Sequence, residues 1–352
     1  MELQTFINGN ENYIEKFKEL KINYRKNDKL GLLLIKTYRK NDYDYLKYPW
    51  IKYCRGVIID IKQNKVINVP PSNALRIDLN DIKNSDDLQY ENLIEGTMIN
   101  MFYHNDDWII STRSNIGCNN KWKGLKTFGD MFRELSDNLN HDNLNKNHCY
   151  TFVLQHIDNK IVIPVYENNI ILVNEIELDE YLNVKLSDNL NVTSVNQFTY
   201  DHISSFNSQI NYMIKGITIK DKNGNRFKYI NPNYDYVSKL TVNNNKSLIR
   251  YVELRKNGRL KEYLQYFPED QYKFNEYRTF YYHLVSLLYK RYVLFFIRKD
   301  IELNDVEYSL KPLIFEIHEF YKKTNNKITM KIIKEYINNM DSYRIYFIMK
   351  HL

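Results

Sequence analysis

The first two thirds of the chain alternate short apolar runs with polar turns, a pattern typical of antiparallel β-structure. One helix is predicted over residues 11–20, and another over 126–138, where Phe128, Met131 and Phe132 recur at helical spacing. The predicted strands span residues 30–38, 53–60, 65–69, 93–103, 108–113, 150–155, 161–165, 170–178, 213–221 and 226–230. Because short turns connect most of these strands, we expect a series of hairpins, the last of them through an Asn-Gly turn at residues 222–225.

Beyond residue 240 the apolar positions take up helical periodicity instead. Helices are predicted over residues 247–256, 259–267, 270–299, 306–323 and 327–350. Pro312 should start or kink its helix, because proline lacks the amide that a helix interior needs. The fold class is therefore α+β, with a mainly antiparallel domain over residues 1–243 and an all-α domain over residues 244–352.

The hairpin that begins at Glu95-Gly96 and ends at Arg113 is the first candidate for chemistry. Gly96 has no Cβ, so another backbone or a ligand can approach it closely, and Arg113 would face the same cleft. Arg55 stands where another strand begins and could likewise point into a cleft. These residues are compatible with a nucleotide pocket, but an ordinary hairpin with a turn glycine explains the first stretch better, and a solvated arginine in a turn explains Arg55 equally well.

Charge and composition are compatible with nucleic acid but do not require it. The chain has 50 Lys and Arg against 43 Asp and Glu, a net charge of +7, with 31 Tyr and 17 Phe among them. Cations interleaved with aromatic rings suit a phosphate backbone with stacked bases. An A·T-rich genome, for example a viral one, would also encode many Lys, Asn, Ile and Tyr residues whatever the function.

Cysteine spacing and hydropathy set the expected compartment. Cys54, Cys118 and Cys149 are far apart and form no CxxC pair, so neither a zinc site nor a disulfide framework is predicted. No apolar run approaches the length of a membrane span. We therefore expect a cytoplasmic protein in a reducing environment, with no membrane partner.

A series of short motifs then resembles, in order, the core of phage-type RNA ligases, which belong to the covalent nucleotidyltransferase superfamily. The motifs are Arg55-Gly56, Glu95-Gly96-Thr97, Ser111-Thr112-Arg113, Thr151-Phe152, Asn159-Lys160-Ile161-Val162, Lys215-Gly216-Ile217, Asn225-Arg226-Phe227-Lys228 and Asn231-Pro232. The resemblance covers roughly residues 30 to 275. It implies an antiparallel-sheet nucleotidyltransferase core, ATP-grasp-like in its ligase architecture, followed by the helical domain.

The departures from the family pattern fall where its chemistry would be. Leu93 stands at the position of the lysine that such enzymes adenylylate, and leucine has no nitrogen for that bond. Val153 and Lys215 replace two glutamates that would contact the nucleoside or help to hold a divalent ion. Ile230 replaces the second lysine of the last motif, whereas Lys228 keeps the first.

These departures lead to a hypothesis of a catalytically inactive pseudo-ligase. Its old pocket would keep a basic surface for a nucleotide, an RNA end or an acidic partner segment. The candidate nucleotide- and phosphate-binding residues are Arg55, Glu95, Gly96, Arg113, Phe152, Lys215 and Lys228. No metal ligand and no certain cofactor is assigned. The opposing interpretation is that Leu93, Val153 and Ile230 have filled the pocket with core.

Two further hypotheses belong to other functional classes. One is an active ATP-dependent RNA ligase with a displaced nucleophile, Lys121, Lys123 or Lys126, which would use ATP and Mg²⁺ held by new ligands such as Glu95 or Asp60. The other is a non-catalytic scaffold or RNA-binding subunit of an RNA-processing or transcription complex, with contacts made by the helical domain. Lys290, Arg291, Arg298 and Lys299 could form a basic strip there, or a solvated face.

Overall fold

A computed structural model describes residues 2–38, 41–82, 85, 87–122, 124–136, 139, 144–178, 197–199, 211–221, 225–242, 244 and 246–352. The chain forms two compact units, residues 1–235 and 236–352. The boundary predicted at residues 243–244 stays a prediction, because Asn243 and Asn245 are not among the described residues. The predicted Asn-Gly turn also lies outside them, at residues 222–224.

In chain order the described strands are β1 (Asn23–Asn27), β2 (Leu32–Lys36), β3 (Arg55–Asp60), β4 (Lys65–Asn68), β5 (Leu75–Arg76), β6 (Leu88–Asn92), β7 (Thr97–His104), β8 (Asp107–Thr112), β9 (Asn115–Ile116), β10 (His148–Gln155), β11 (Asn169–Glu177), β12 (Gln197–Phe198), β13 (Gly216–Asp221) and β14 (Arg226–Ile230). The described helices are α1 (Glu2–Asn8), α2 (Tyr13–Glu19), α3 (Phe128–Ser136), α4 (Pro232–Leu240), α5 (Ser247–Lys256), α6 (Leu260–Tyr266), α7 (Gln271–Tyr292), α8 (Lys311–Thr324), α9 (Met330–Asn339) and α10 (Ser342–Lys350). The α+β prediction is confirmed: antiparallel sheets come first and helices follow.

The strands form three sheets in the first unit. The first sheet has the order β1-β2-β3-β4, and it shares a core with α1 and α2 that includes Phe17 of α2 and Trp50 of the turn before β3. The second sheet has the order β11-β10-β7-β8-β9, and α3 covers it with Phe128, Met131 and Phe132. The third sheet has the order β12-β6-β13-β14-β5, in which the short β5 runs parallel to β14.

Two predicted elements are wrong, and local hydrogen bonds explain both. Residues 161–165 form no strand, because the amides of Val162 and Ile163 bind the Glu95 side chain instead of a neighbouring strand. The single helix predicted over residues 327–350 is two helices, α9 and α10. Asp341 separates them, since its side chain accepts hydrogen bonds from two amides of α10 and caps that helix.

The helical unit buries apolar and aromatic side chains from several of its helices. Tyr281, Leu284 and Leu288 lie on the buried side of α7, and Pro312 stands in the first turn of α8, where it starts the helix as predicted. Helix α8 begins at Lys311 rather than at the predicted residue 306. No helix among the described residues has both the length and the apolar character needed to cross a bilayer.

Candidate functional site

The hairpin β7–β8 forms as predicted, and Gly96 fixes how the chain enters it. Gly96 has a φ of +156°, and a Cβ built on it would lie 2.4 Å from the Leu154 carbonyl oxygen and 2.5 Å from Cγ1 of Val153. The turn between the strands uses Asn105 and Asp106, both at positive φ. The close neighbour that requires Gly96 is therefore strand β10, not a ligand.

Glu95 is buried and its carboxylate binds a loop. Its side chain is 5% exposed, and Oε1 accepts hydrogen bonds from the amides of Val162, at 3.0 Å, and Ile163, at 2.8 Å. The backbone carbonyl of Glu95 accepts a further bond from the Gln155 side chain at 2.9 Å. Glu95 thus holds residues 161–163 against the start of the hairpin.

Lys215 and Tyr234 lie beside Glu95. The ammonium group of Lys215 donates to the carbonyl oxygen of Ile94 at 3.3 Å and is 6.0 Å from the centre of the Tyr234 ring. Burial lowers the pKa of Lys215, and the nearby Glu95 carboxylate opposes this shift. Burial also raises the pKa of Tyr234, with Glu95 as the next contribution. Lysine, glutamate and tyrosine therefore form one cluster at the junction of the second and third sheets.

Leu93 occupies a backbone position next to this cluster. Its amide donates to the Gly216 carbonyl at 3.0 Å, which continues the pairing of β6 with β13. The adjacent Ile94 packs on an apolar patch that includes Val153. Ile230 lies across from Gly216 on β14. Leu93, Ile94, Lys215 and Ile230 are therefore close together around the start of β13.

A buried ion pair that the sequence did not indicate lies further along β13. The ammonium group of Lys220 is 2.8 Å from Oε1 of Glu91 on β6, and it also donates to the Val173 carbonyl of β11 at 3.1 Å. Burial lowers the pKa of Lys220 and of Arg226, and Glu91 opposes both shifts. Only the three-dimensional pairing of β6 with β13 brings these groups together, so no local pattern could have identified them.

Arg55 and Arg113 come together with a third cation, Lys36. Lys36 lies opposite Arg55 across strands β2 and β3, and a Cβ on Gly56 would lie 3.0 Å from Cα of Arg113. Burial lowers the pKa of Lys36, and the charge of Arg113 lowers it further. The guanidinium of Arg55 also donates to the Asn73 side chain. We call Lys36, Arg55 and Arg113 the cation cluster.

The remaining predicted residues lie in different surroundings. Lys228 is half-buried on β14 and faces Thr218, which is itself paired with Glu91, so Lys228 shares a sheet face with that carboxylate. Phe152 is fully buried, with its ring centre 5.6 Å from that of Phe132. In this structure Phe152 belongs to the core under α3, on the face of β10 opposite Val153.

Each of the two buried carboxylates of this region has one oxygen bound within the chain. Amides bind Oε1 of Glu95 and an ammonium group binds Oε1 of Glu91, whereas Oε2 of Glu95 is buried and has no hydrogen-bond partner in the described part of the chain. Nowhere in the described part of the chain do three or more His, Cys, Asp or Glu side chains group in a way that could hold a metal ion.

Comparison with known proteins gives ligases at low identity. No protein-family model matches the chain, and no curated protein does. Its structure is similar to that of an Aquifex aeolicus protein assigned as an ATP-dependent DNA ligase, with 16% identity and a TM-score of 0.43 over 90% of this chain and 74% of that one. It is also similar to that of an archaeal ATP-dependent RNA ligase, with 11% identity and a TM-score of 0.46 over 65% of this chain and 63% of that one. A third similar structure is that of a Naegleria gruberi RNA ligase variant with ATP and Mn. Its identity is 11% and its TM-score 0.34, over 47% of this chain and 57% of that one.

Proposed function

We propose that residues 1–235 form an RNA-ligase-like unit that binds a phosphate-bearing ligand, a nucleotide or an RNA end, without forming a covalent lysine adduct. The cation cluster carries the proposal. Lys36 pairs with Arg55 across β2 and β3, and Arg113 lies against Gly56. Burial lowers the pKa of Lys36, and repulsion from the like charge of Arg113 lowers it further. A phosphate would relieve this repulsion, and guanidinium groups bind phosphate with two parallel hydrogen bonds.

The absence of covalent chemistry rests on the residues around Leu93. Adenylylation needs an amine that attacks the α-phosphorus and displaces pyrophosphate, and leucine cannot supply it. The neighbouring amine, Lys215, already donates to the carbonyl of Ile94 and faces Glu95. One oxygen of each buried carboxylate is also bound within the chain, Oε1 of Glu91 by Lys220 and Oε1 of Glu95 by backbone amides, which weakens both as ligands for the metal that would balance a triphosphate.

Binding of ATP and of a 5′-phosphorylated RNA oligonucleotide tests the first half of the proposal. Arg113→Gln should weaken binding by about tenfold or more, because a charge-assisted hydrogen bond contributes roughly 1.5–3 kcal/mol. Arg133→Gln is the matched control, since Arg133 is an exposed arginine of the same unit that pairs with Asp130. Equal affinity of the two variants for both ligands would contradict the role of the cluster.

A second candidate function is an active ligase whose nucleophile is Lys215. Burial lowers the pKa of this lysine, which favours the neutral amine, and its Nζ is 3.3 Å from the carbonyl oxygen next to Leu93. Of the lysines predicted as displaced nucleophiles, Lys126 is bound by Glu134 and Asp158, Lys121 is exposed, and Lys123 lies outside the described residues. The geometry therefore favours Lys215 over Lys126.

Incubation with α-labelled ATP and a divalent cation separates the two candidates. Our first proposal predicts no acid-labile label on the protein. A label that disappears in Lys215→Arg but persists in Lys126→Arg would establish the second candidate instead. A label that persists in Lys215→Arg but disappears in Lys126→Arg would exclude both.

A further inference from the structure

The positive charge of the chain belongs to its helical unit. Residues 236–352 contain 21 Lys and Arg against 13 Asp and Glu, whereas residues 1–235 contain 29 Lys and Arg against 30 Asp and Glu. The helical unit therefore has a net charge of +8 and the first unit a net charge of −1. Such a difference favours a polyanionic partner for the helical unit.

Three of these cations, from three different helices, surround one tyrosine. Arg278 and Tyr282 are one turn apart on α7, and the guanidinium carbon of Arg255 on α5 is 5.3 Å from the centre of the Tyr282 ring. The ammonium nitrogen of Lys334 on α9 is 5.7 Å from the same ring centre. Arg255 also stacks on Tyr281, at 3.9 Å from its ring centre. We call Arg255, Arg278, Tyr282 and Lys334 the tyrosine–cation site.

The tyrosine–cation site has no acidic partner within the described part of the chain. Other cations of the unit pair with carboxylates, as Arg291 does with Glu307 and Arg344 with Glu316, but none of the three here does. Their charges lower the pKa of Tyr282, with a hydrogen bond from Arg255 as the largest cause. This shift is the response of a phenol to a local excess of positive charge.

One buried polar atom at the site, Nε of Arg255, has no hydrogen-bond partner in the described part of the chain. A buried donor without a partner costs about 1–3 kcal/mol, and a bound anion is one way to satisfy it.

We infer that the tyrosine–cation site binds a phosphate of single-stranded nucleic acid, with the exposed ring of Tyr282 as a stacking surface for the adjoining base. The ring is 41% exposed, so a base can reach it, and the three cations stand around it where the backbone phosphate would follow. Residues 1–235 take no part in this inference, which therefore does not depend on the proposed function above.

Fluorescence anisotropy of the full chain with a labelled single-stranded oligonucleotide tests the inference. The double variant Arg278→Gln/Lys334→Gln should raise Kd by roughly tenfold or more. In a plot of the logarithm of the binding constant against the logarithm of the salt concentration, the slope should become less steep by about 1.4. The double variant Lys322→Gln/Lys323→Gln removes the same charge from α8 and should change Kd much less. An equal effect of both double variants would mean diffuse charge attraction and would overturn the site.

An abasic oligonucleotide separates phosphate binding from base stacking. Tyr282→Leu should weaken binding of the normal strand by about fivefold or more and leave binding of the abasic strand unchanged. Inorganic phosphate should compete with both strands at the site. Loss of affinity for both strands alike, or no binding by the unaltered protein, would refute the inference. Circular dichroism spectra of each variant confirm that the helices are intact.

Discussion

Gly96→Ala should destabilise the first unit far more than an ordinary glycine substitution does. An alanine there would keep an unfavourable backbone conformation, which costs about 1–2 kcal/mol for a left-handed φ. Its methyl group would also lie 2.4 Å from a backbone oxygen of β10, and relieving such overpacking costs typically about 1–3 kcal/mol. We therefore expect a loss of roughly 2–5 kcal/mol of the free energy of unfolding, against a typical total of about 5–15 kcal/mol.

Gly31→Ala is the matched control in the same unit. Gly31 has a φ of +67°, but the nearest atom to a built Cβ is the flexible end of Lys62 at 3.8 Å, so only the backbone cost of about 1–2 kcal/mol remains. Trp50, Trp108 and Trp122 are the three tryptophans of the chain and all lie in the first unit, so urea unfolding followed by tryptophan fluorescence reports on that unit. A loss for Gly96→Ala no larger than that for Gly31→Ala would refute the reasoning.

Three other predictions concern buried or paired groups. Lys220→Met leaves Glu91 as a buried charge without its ammonium partner, and it should lower the free energy of unfolding by about 3–5 kcal/mol in the same tryptophan assay. Adding Glu91→Gln removes that charge and should restore most of the lost stability. Burial raises the pKa of Cys118 and Cys149 to about 12, so the thiols should react with a disulfide reagent only after unfolding, and rapid reaction of the native protein would contradict this burial. Hydrogen bonds and the charge of Arg344 lower the pKa of Glu316 below its ordinary 4.5. The ionised Glu316 therefore stabilises the fold above that pH, and this stabilisation is lost as the pH falls through the folded pKa. In Glu316→Gln, the stability followed by circular dichroism should fall less steeply as the pH is lowered.

Local patterns predicted most of the secondary structure and the first hairpin of the site. The sequence His104-Asn105-Asp106-Asp107 predicts a turn, and the structure places Asn105 and Asp106 at positive φ between two paired strands. The change in the spacing of apolar residues near residue 240, from that of strands to that of helices, likewise predicted where the sheets end and the helices begin. Such features depend on residues that are neighbours in the chain, which is why the sequence alone reveals them.

The site itself depends on contacts between residues that are distant in the chain. Glu95 binds amides 67 and 68 residues later, and this turns a predicted strand into a loop. Glu91 and Lys220 are separated by 129 residues, so no local pattern predicts that this buried carboxylate is paired with a cation. The roles assigned to Arg55, Arg113 and Lys228 stay predictions; the structure places Arg113 beside Gly56, the residue that follows Arg55.

The ion pair of Lys220 also limits how the second and third sheets can move against each other. Near Gly216, residues 93–96 join β6 of one sheet to β7 of the other by the chain itself. Four residues further along β13, the ammonium group of Lys220 is bonded to Glu91 of its own sheet and to Val173 of the facing sheet. The connection at residues 93–96 is covalent, whereas the connection at Lys220 depends on the charge of one titratable group. Neutralising that charge should let the far ends of the sheets separate, which faster amide hydrogen exchange in β11 would reveal.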